Sequence, residues 1–256
     1  MLQDGESVSG SLNTVVRLGN TVRRPMHNWT PTVTHFLEYL GQKGICEVPT
    51  PLGVDEQNRE IQTFIPGEVA LRPWPALLKT NQGLEIITRF VKQYHQAQAD
   101  YIPPANATWY VPDVQYQPGN IIRHGDLGPW NTIWTGDTLQ GVIDWDFAEP
   151  GDPLTDLAQL AWYWVPLRGE KGWREAGFEQ APHYQQRLTV ICDTYGTKLN
   201  KLIEAVLYLQ ILEMKRLEKF GRKGLFPWVL YYKRGDLSEM EAEYQWLKAH
   251  WSALLN

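Results

Sequence analysis

The stretch HGDLGPWN, residues 124 to 131, sets a carboxylate, Asp126, and a side-chain amide, Asn131, five positions apart behind a histidine, His124. Gly125, Gly128 and Pro129 break any regular helix there, so neither helix propensity nor core packing accounts for the stretch. Oxygen-bearing side chains on a stiff loop suit work on a metal-bound phosphate. Mg²⁺ keeps several waters and takes few protein ligands alongside substrate phosphates. Phosphoryl transfer needs such a cation to neutralise phosphate charge, and one carboxylate to accept the proton of the attacking hydroxyl. A second carboxylate, Asp144 in GVIDWDF, follows two β-like segments, Thr132-Ile133-Trp134 and Gln140 to Ile143, flanking a Thr-Gly-Asp turn. A hairpin returns the chain to its start, so Asp144 is expected back beside Asn131. Base and metal ligands at a fixed separation would align nucleophile and phosphate together.

The rest of the chain must position these residues. TVVRLGNTVRR alternates apolar and polar residues around Leu18-Gly19-Asn20, which predicts a hairpin. Thr30-Pro31 reads as an N-cap and first helical position, with Val33, Phe36, Leu37 and Leu40 at helical spacing before Gly41 to Gly44. Val54 to Ile65 reads as a second hairpin turning at Glu56-Gln57-Asn58. Beyond IPGEV the pattern is helical: Leu84, Ile87, Val91 and Tyr94 share one face, and Leu199, Leu202, Ile203, Val206 and Met214 another. Asp236-Leu-Ser-Glu239 reads as a capping box ahead of a last helix. The expected fold is α+β, with a β-rich part over 1–66 and a mainly helical part over 67–256 that contains one hairpin.

Composition narrows the function classes. The 256 residues carry a formal charge of -5, which argues against a general nucleic-acid binder, since phosphate contacts need clustered Lys and Arg. Cys46 and Cys192 are too few for a disulfide framework or a zinc cage. The start, MLQDGESVSG, has no basic-then-apolar pattern of a signal peptide, and no stretch approaches the ~20 apolar residues of a membrane span. These readings point to a cytoplasmic protein with no membrane partner.

HGDLGPWN fits the H-x-D-x-x-x-x-N pattern of kinase catalytic loops, and Asp-Trp-Asp stands where those enzymes carry a metal-binding Asp-Phe-Gly. With SGSLN (9 to 13), TVRRP (21 to 25), PTPLGVDEQNREIQTFIPGE (49 to 68) and GVIDWDFAEPGDPLTDLA, the chain resembles the aminoglycoside phosphotransferase family of protein-kinase-like enzymes. The resemblance implies two lobes, a nucleotide-binding lobe over 1–66 and a catalytic and acceptor-binding lobe over 67–256, with ATP in the cleft between them. It implies Asp126 as catalytic base and Asn131 and Asp144 as Mg²⁺ ligands. It implies that Ser9, Gly10, Ser11 and Asn13 cover the phosphates, that Arg23 reaches them from its strand, and that backbone groups of Phe64 and Ile65 meet the adenine. His124 is expected to buttress the loop by hydrogen bonds and Asp156 to be structural. Asp146 is read either as a further metal or substrate contact or as a pair with a nearby Arg.

The sequence also departs from that family. Arg23 stands in place of the strand Lys. The carboxylate of the first helix, Glu38, points about 150° from the apolar stripe, so the usual ion pair with a helix Glu is expected to be missing. Trp130, Trp134 and Trp145 read as core or cleft wall, and one of Trp162 and Trp164 is expected to turn away from its helix's core stripe. From 201 to 256 basic residues outnumber acidic ones, which does not suit a polycationic acceptor. The reading is an ATP- and Mg²⁺-dependent phosphotransferase acting on a hydroxyl of a small metabolite. A nucleotide-binding pseudokinase-like module and an aminoglycoside O-phosphotransferase conferring resistance are the alternatives. A protein kinase is disfavoured by the absence of an A-P-E segment.

Overall fold

The computed structural model describes residues 5–9 and 14–255, with the side chains of Val8 and Ser9 outside that description. Its first sheet is antiparallel, in the order β1 (Ser7–Ser9), β2 (Thr14–Leu18), β3 (Thr21–Pro25), β5 (Arg59–Thr63), β4 (Pro51–Val54). Gly19 takes φ 60, so the β2–β3 turn falls where its sequence places it. The turn between β4 and β5 is stitched by Asp55, which accepts from the backbone N–H groups of Gln57 and Arg59, each at 3.0 Å. On β5 the buried residues are Glu60 and Gln62 rather than the intervening Ile61, and on β3 the buried residue is Arg24. The covered face of these strands is therefore polar, the reverse of the usual alternation.

Helix α1 (Thr30–Gln42) begins with Pro31 in its first turn and buries Val33, Phe36, Leu37 and Leu40. Burial of each such side chain contributes roughly 1.5–3 kcal/mol. Thr30 is not the N-cap; that position is Trp29, and the Thr30 hydroxyl instead accepts from the His27 N–H at 3.0 Å. Helix α2 (Asn81–Ala97) buries Leu84, Ile87, Val91 and Tyr94 completely, as their spacing predicts. Strand β6 (Glu68–Val69) pairs with β8 (Thr132–Thr135), which pairs with β9 (Thr138–Val142) in register Thr132↔Val142. A two-stranded ribbon joins β7 (Ile121–Arg123) to β10 (Glu149–Gly151), so both strands enter and leave the segment that holds Asp126 and Asp144. The indole of Trp145 is 1% exposed and anchors that segment against Phe36, Tyr94 and His124, with ring centroids 4.4–5.8 Å away.

Contact density groups Met1–Leu71 with Arg89–Asp156, and Arg72–Thr88 with Leu157–Asn256. Residues 89–156 thus associate with the β-rich start, a different line from the 66/67 boundary read from the sequence. The second unit is helical beyond α3 (Pro153–Trp164): α4 (Gly169–Glu175), α5 (Tyr184–Tyr195), α6 (Leu199–Arg222), α7 (Trp228–Arg234) and α8 (Asp236–Leu255). Leu202, Ile203 and Val206 of α6 are buried, whereas Leu199 and Met214 are only half-buried. The expected capping box does not form. Gly235, in the left-handed region at φ 93, closes α7 directly before Asp236, whose carboxylate pairs with Arg234, and the Ser238 N–H bonds the Gly235 carbonyl. Among the described residues no helix is long and apolar enough to cross a membrane.

Candidate active site

Strand β7 delivers the chain into His124, and the loop that follows is fastened from below. The Asp156 carboxylate, fully buried, accepts the His124 backbone N–H at 3.2 Å and meets His95 Nε2 at 3.1 Å. Burial raises Asp156 to about 8 and lowers His95 to about 3, so the pair holds one proton between them and no net charge. The His124 ring is also fully buried, and burial lowers it to about 4, leaving it neutral. Its Nδ1 accepts the Asp126 N–H at 3.2 Å, so Nε2 carries the proton and donates to the Ile143 carbonyl at 3.0 Å. His124 therefore ties the Asp126 loop to the end of the returning hairpin, the buttress its position suggested. Gly125 has φ 81, and a Cβ there would lie 2.0 Å from the Phe147 carbonyl oxygen, so only glycine fits.

Asn131 ends a short 3-10 turn over Pro129–Asn131 and is buried. Its amide nitrogen donates to the Asp126 carbonyl at 2.8 Å and to Asp126 Oδ2 at 2.9 Å, and Trp130 Nε1 donates to the same Oδ2 at 3.2 Å. With the nitrogen committed, the Asn131 side chain has its oxygen to offer a cation. The hairpin brings the second carboxylate back as expected: the Ile143 N–H donates to the Asn131 carbonyl at 2.9 Å, one residue before Asp144. Asp144 sits in the left-handed region at φ 62, ψ 60, a conformation Asp tolerates better than most residues and one associated with functional strain.

The cation that meets this carboxylate is Arg24, and Arg23 lies elsewhere. Arg23 bonds Thr21 Oγ1 at 2.6 Å and faces Asp55 at 3.6 Å. Consecutive strand residues point to opposite faces, so only one of the two arginines can enter the site. Arg24 Nη2 reaches Asp144 Oδ1 at 3.1 Å and also bonds Asp146 Oδ2. Its Nε lies 3.5 Å from Glu60 Oε1, an ion pair without a hydrogen bond. Glu60, directly across the β3–β5 ladder from Arg24, thus takes the part expected of a helix carboxylate, while Glu38 is exposed as predicted. Asp146 pairs with Arg24, and its other oxygen accepts the Trp29 indole N–H at 3.1 Å.

Carboxylates outnumber the guanidinium in this cluster. Glu60 is raised to about 7, first by burial and then by Asp146 and Asp144, against the pull of Arg24. Asp144 is likewise raised to about 7, by burial and by the neighbouring Asp146 and Asp126 charges against Arg24. The Asp144 side chain is nevertheless 47% exposed, so the crowding by like charges is the more durable cause. Burial also opposes the charge on Arg24, but Asp146, Asp144 and Glu60 together overcome it and keep the guanidinium protonated. A site with surplus negative charge, a half-open carboxylate and an amide oxygen on a fixed hairpin suits a hard divalent cation that retains most of its waters. Among the described residues no three His, Cys, Asp or Glu side chains form a group that could hold a metal ion.

The remaining expected residues are placed as follows. Gly10, Ser11 and Asn13 lie outside the described residues, and Ser9 is described only as the end of β1, paired with Thr14. The Phe64 N–H already donates to the Asn20 carbonyl at 2.9 Å, and its ring lies 3.8 Å beneath the Arg17 guanidinium. Ile65 packs its side chain on Gly141, where a Cβ would come within 2.5 Å. Trp134 and Trp145 are core, and Trp130 is a half-buried neighbour of Asp126. Trp162 and Trp164, two positions apart on α3, are both buried, and Trp162 gives its indole N–H to Glu243 of α8 at 2.8 Å. The sequence reading missed Arg24, Glu60, Trp29 and His95, and only the cross-strand register would have signalled the first two.

Residues 110–188 match the model of the phosphotransferase enzyme family (APH). The matched region holds HGDLGPWN and GVIDWDFAEPGDPLTDLA, and the match bears out the resemblance read there. The chain is 29% identical over 192 residues to the trifolitoxin immunity protein of Rhizobium leguminosarum bv. trifolii, covering 73% of this chain and 72% of that one. Its fold is similar to a choline/ethanolamine kinase family protein from Mesorhizobium loti (TM-score 0.61, 15% identity, 98% of this chain and 92% of that one). It is similar also to aminoglycoside 2'-phosphotransferase-IIIa in its GDP complex (TM-score 0.59, 14% identity, 96% and 93%). The fold is thus kinase-like, with a small antiparallel sheet at the start and a mostly helical remainder.

Proposed function

We propose that this chain is a small-molecule kinase that moves the γ-phosphate of ATP, with Mg²⁺, to a hydroxyl of a small metabolite. The observation that carries the reading is the junction of Asp126, Asn131 and Asp144 on one braced loop and hairpin, facing the single cation Arg24. Asp126 would accept the acceptor hydroxyl's proton as the oxygen attacks phosphorus. Asn131 and Asp144 would hold the metal, which neutralises phosphate charge when bound. Arg24, steered by Glu60 and Asp146, would present its guanidinium to the phosphates, replacing Arg23 in the role first assigned to the strand. Residues 9–13 and the backbone at Phe64 and Ile65 are the proposed nucleotide contacts, within a nucleotide-binding lobe over 1–66 and an acceptor-binding lobe over 67–256. The proposed setting is the cytoplasm.

The Arg24–Glu60 pair removes the main reason to favour a catalytically silent nucleotide binder. An aminoglycoside acceptor is disfavoured by charge. Glu170 pairs with Arg174, Glu175 with Arg72, Glu239 with Lys171 and Glu243 with Arg168, so these acids bring their own counter-ions. We expect no phosphorylation of kanamycin-type compounds and no gain of resistance on overexpression. An Asp126-dependent rise in inhibitory concentration would reverse that conclusion. A second reading is favoured by the 29% identity to a trifolitoxin immunity protein: the acceptor would then be a hydroxyl on a toxin. The deciding experiment is nucleotide consumption across a panel of hydroxylated metabolites and toxins, with Asp126→Asn as control. GTP belongs beside ATP in that panel, because a similar structure carries GDP. No Asp126-dependent consumption with any acceptor would defeat the kinase reading.

A further inference from the structure

A cavity of about 440 Å³ opens beside the start of α1, away from the residues assigned above. Its lining is uncharged at every position but the titratable His27: Asn28, Asn106, Thr32 and Thr108 supply amides and hydroxyls, and Pro31 and Pro104 supply flat C–H faces. Part of this wall is fixed by its own hydrogen bonds. The Thr108 N–H donates to Thr32 Oγ1 at 2.9 Å, and the Thr108 hydroxyl donates to the Asn28 carbonyl at 2.5 Å. The side-chain amides of Asn28 and Asn106, both on exposed residues, have no hydrogen-bond partner among the described residues.

Chemistry selects the occupant. No Asp, Glu, Lys or Arg lines the cavity, so an ammonium group would enter without a counter-ion and a phosphate would meet only the single imidazole of His27, each losing hydration. A neutral ring with apolar C–H faces and outward hydroxyls would lay those faces on the prolines and bond the amides. The volume falls within the range of small-molecule pockets. The cavity is also wired to the charged cluster. The His27 ring stacks on Trp29 with centroids 4.4 Å apart and 7° between planes, and the Trp29 indole N–H bonds Asp146. Trp29 in turn meets Tyr110 edge-on at 4.4 Å, and Tyr110 meets Phe147 at 4.7 Å.

We propose that this cavity is a binding site for a neutral, polyhydroxylated ring such as a sugar or cyclitol, whose occupancy is felt at Asp146 through the His27–Trp29 stack. The site is independent of the phosphotransfer reading, and its test uses neither nucleotide nor metal. In the full-length protein labelled with ¹⁵N-tryptophan, the Trp29 indole resonance is identified by its loss in Trp29→Phe. Methyl glucoside and myo-inositol are then titrated beside inorganic phosphate and tetramethylammonium. The expected result is a saturable shift of the Trp29 resonance with a neutral polyol and none with either ion. Asn28→Ala with Asn106→Ala should weaken that binding about tenfold, equal to about 1.4 kcal/mol. Asp126→Asn should leave it unchanged, which separates this site from turnover. Asn106→Asp, nearly isosteric, should admit tetramethylammonium. No shift with either polyol, an equal response to an ion in the unmodified protein, or undiminished binding by the double variant would overturn the proposal.

Discussion

Two polar clusters lie on either side of the Asp126 loop, and they are built on opposite principles. Beneath it, His95, Asp156 and His124 are buried and bonded to one another and to the backbone; one proton is shared and the group carries no net charge. Beside Asp144, Arg24 faces Asp144, Asp146 and Glu60, and two of those carboxyls are pushed up to about 7. The first cluster is complete in itself and fixes geometry. The second is left with surplus charge, so a bound cation would stabilise it. Buried polar groups alone therefore do not mark a functional site; an unbalanced charge with solvent access does.

The contrast can be broken or sharpened by experiment, beginning with the largest effect. Asp126→Asn should lower kcat by roughly 10²-fold or more while nucleotide Kd stays nearly constant, because a general base acts only on the chemical step. Near-normal turnover in that variant would place the base elsewhere. Next comes a paired test. Asp156→Ala leaves the His124 N–H and His95 without their buried partner and should cost about 1–3 kcal/mol of stability, read by denaturant unfolding. Asp144→Ala should leave unfolding without ligands unchanged or slightly improved, since it relieves repulsion, yet abolish the thermal shift given by Mg²⁺ with a non-hydrolysable ATP analogue. If the two variants behaved alike, the two clusters would not differ in kind.

A third test uses pH. His95 and His124 have folded values depressed below the ordinary 6.5, to about 3 and about 4, so the unfolded chain binds more protons between those limits. Their contribution is present above pH 6.5 and is lost as pH falls toward 4. The raised carboxyls act in the opposite sense, favouring the folded state below about 7. As the pH is lowered from 7 to 4.5, the unfolding free energy of His95→Gln should therefore rise relative to that of the unmodified protein; a constant difference across the range would remove the histidine from the account. The smallest effect is expected at Arg23. Arg23→Ala should change nucleotide affinity less than about twofold, whereas Arg24→Met should weaken it about tenfold, the scale of one charge-assisted contact. Isothermal titration of both variants decides which arginine faces the phosphates.

That Arg24, and not Arg23, meets Asp144 shows where sequence reading stops. Local signals were sufficient for the β2–β3 and β8–β9 hairpins, for α1 and α2, and for the return of Asp144 to Asn131, because turn residues and helical spacing act over a few positions. Strand parity is different. TVRRP offers two adjacent arginines, and apolar alternation cannot choose between them when the covered face of the sheet is itself polar, with Glu60, Gln62 and Arg24 inside. Glu60 became visible as a partner only through the Arg24↔Glu60 register, set by contacts 36 positions apart in sequence. His95 and Asp156 come from different helices 61 residues apart, and no local motif joins them. Burial of both Trp162 and Trp164 was likewise beyond local pattern, because it depends on a second element covering the other face of that helix segment.

The β8–β9 hairpin has a use beyond delivering Asp144. Its base is locked by the Thr132↔Val142 pairing and the Ile143–Asn131 bond, while its tip, from Thr135 to Thr138, is exposed. Residues added between Gly136 and Asp137 would lengthen the tip without altering the separation of Asn131 and Asp144, since that distance is set at the other end of the ladder. Exposed tips of this kind tolerate insertion well. A fluorophore tag or a short peptide label grafted there would give a handle on the enzyme that rides on the same rigid hairpin as Asn131 and the approach to Asp144.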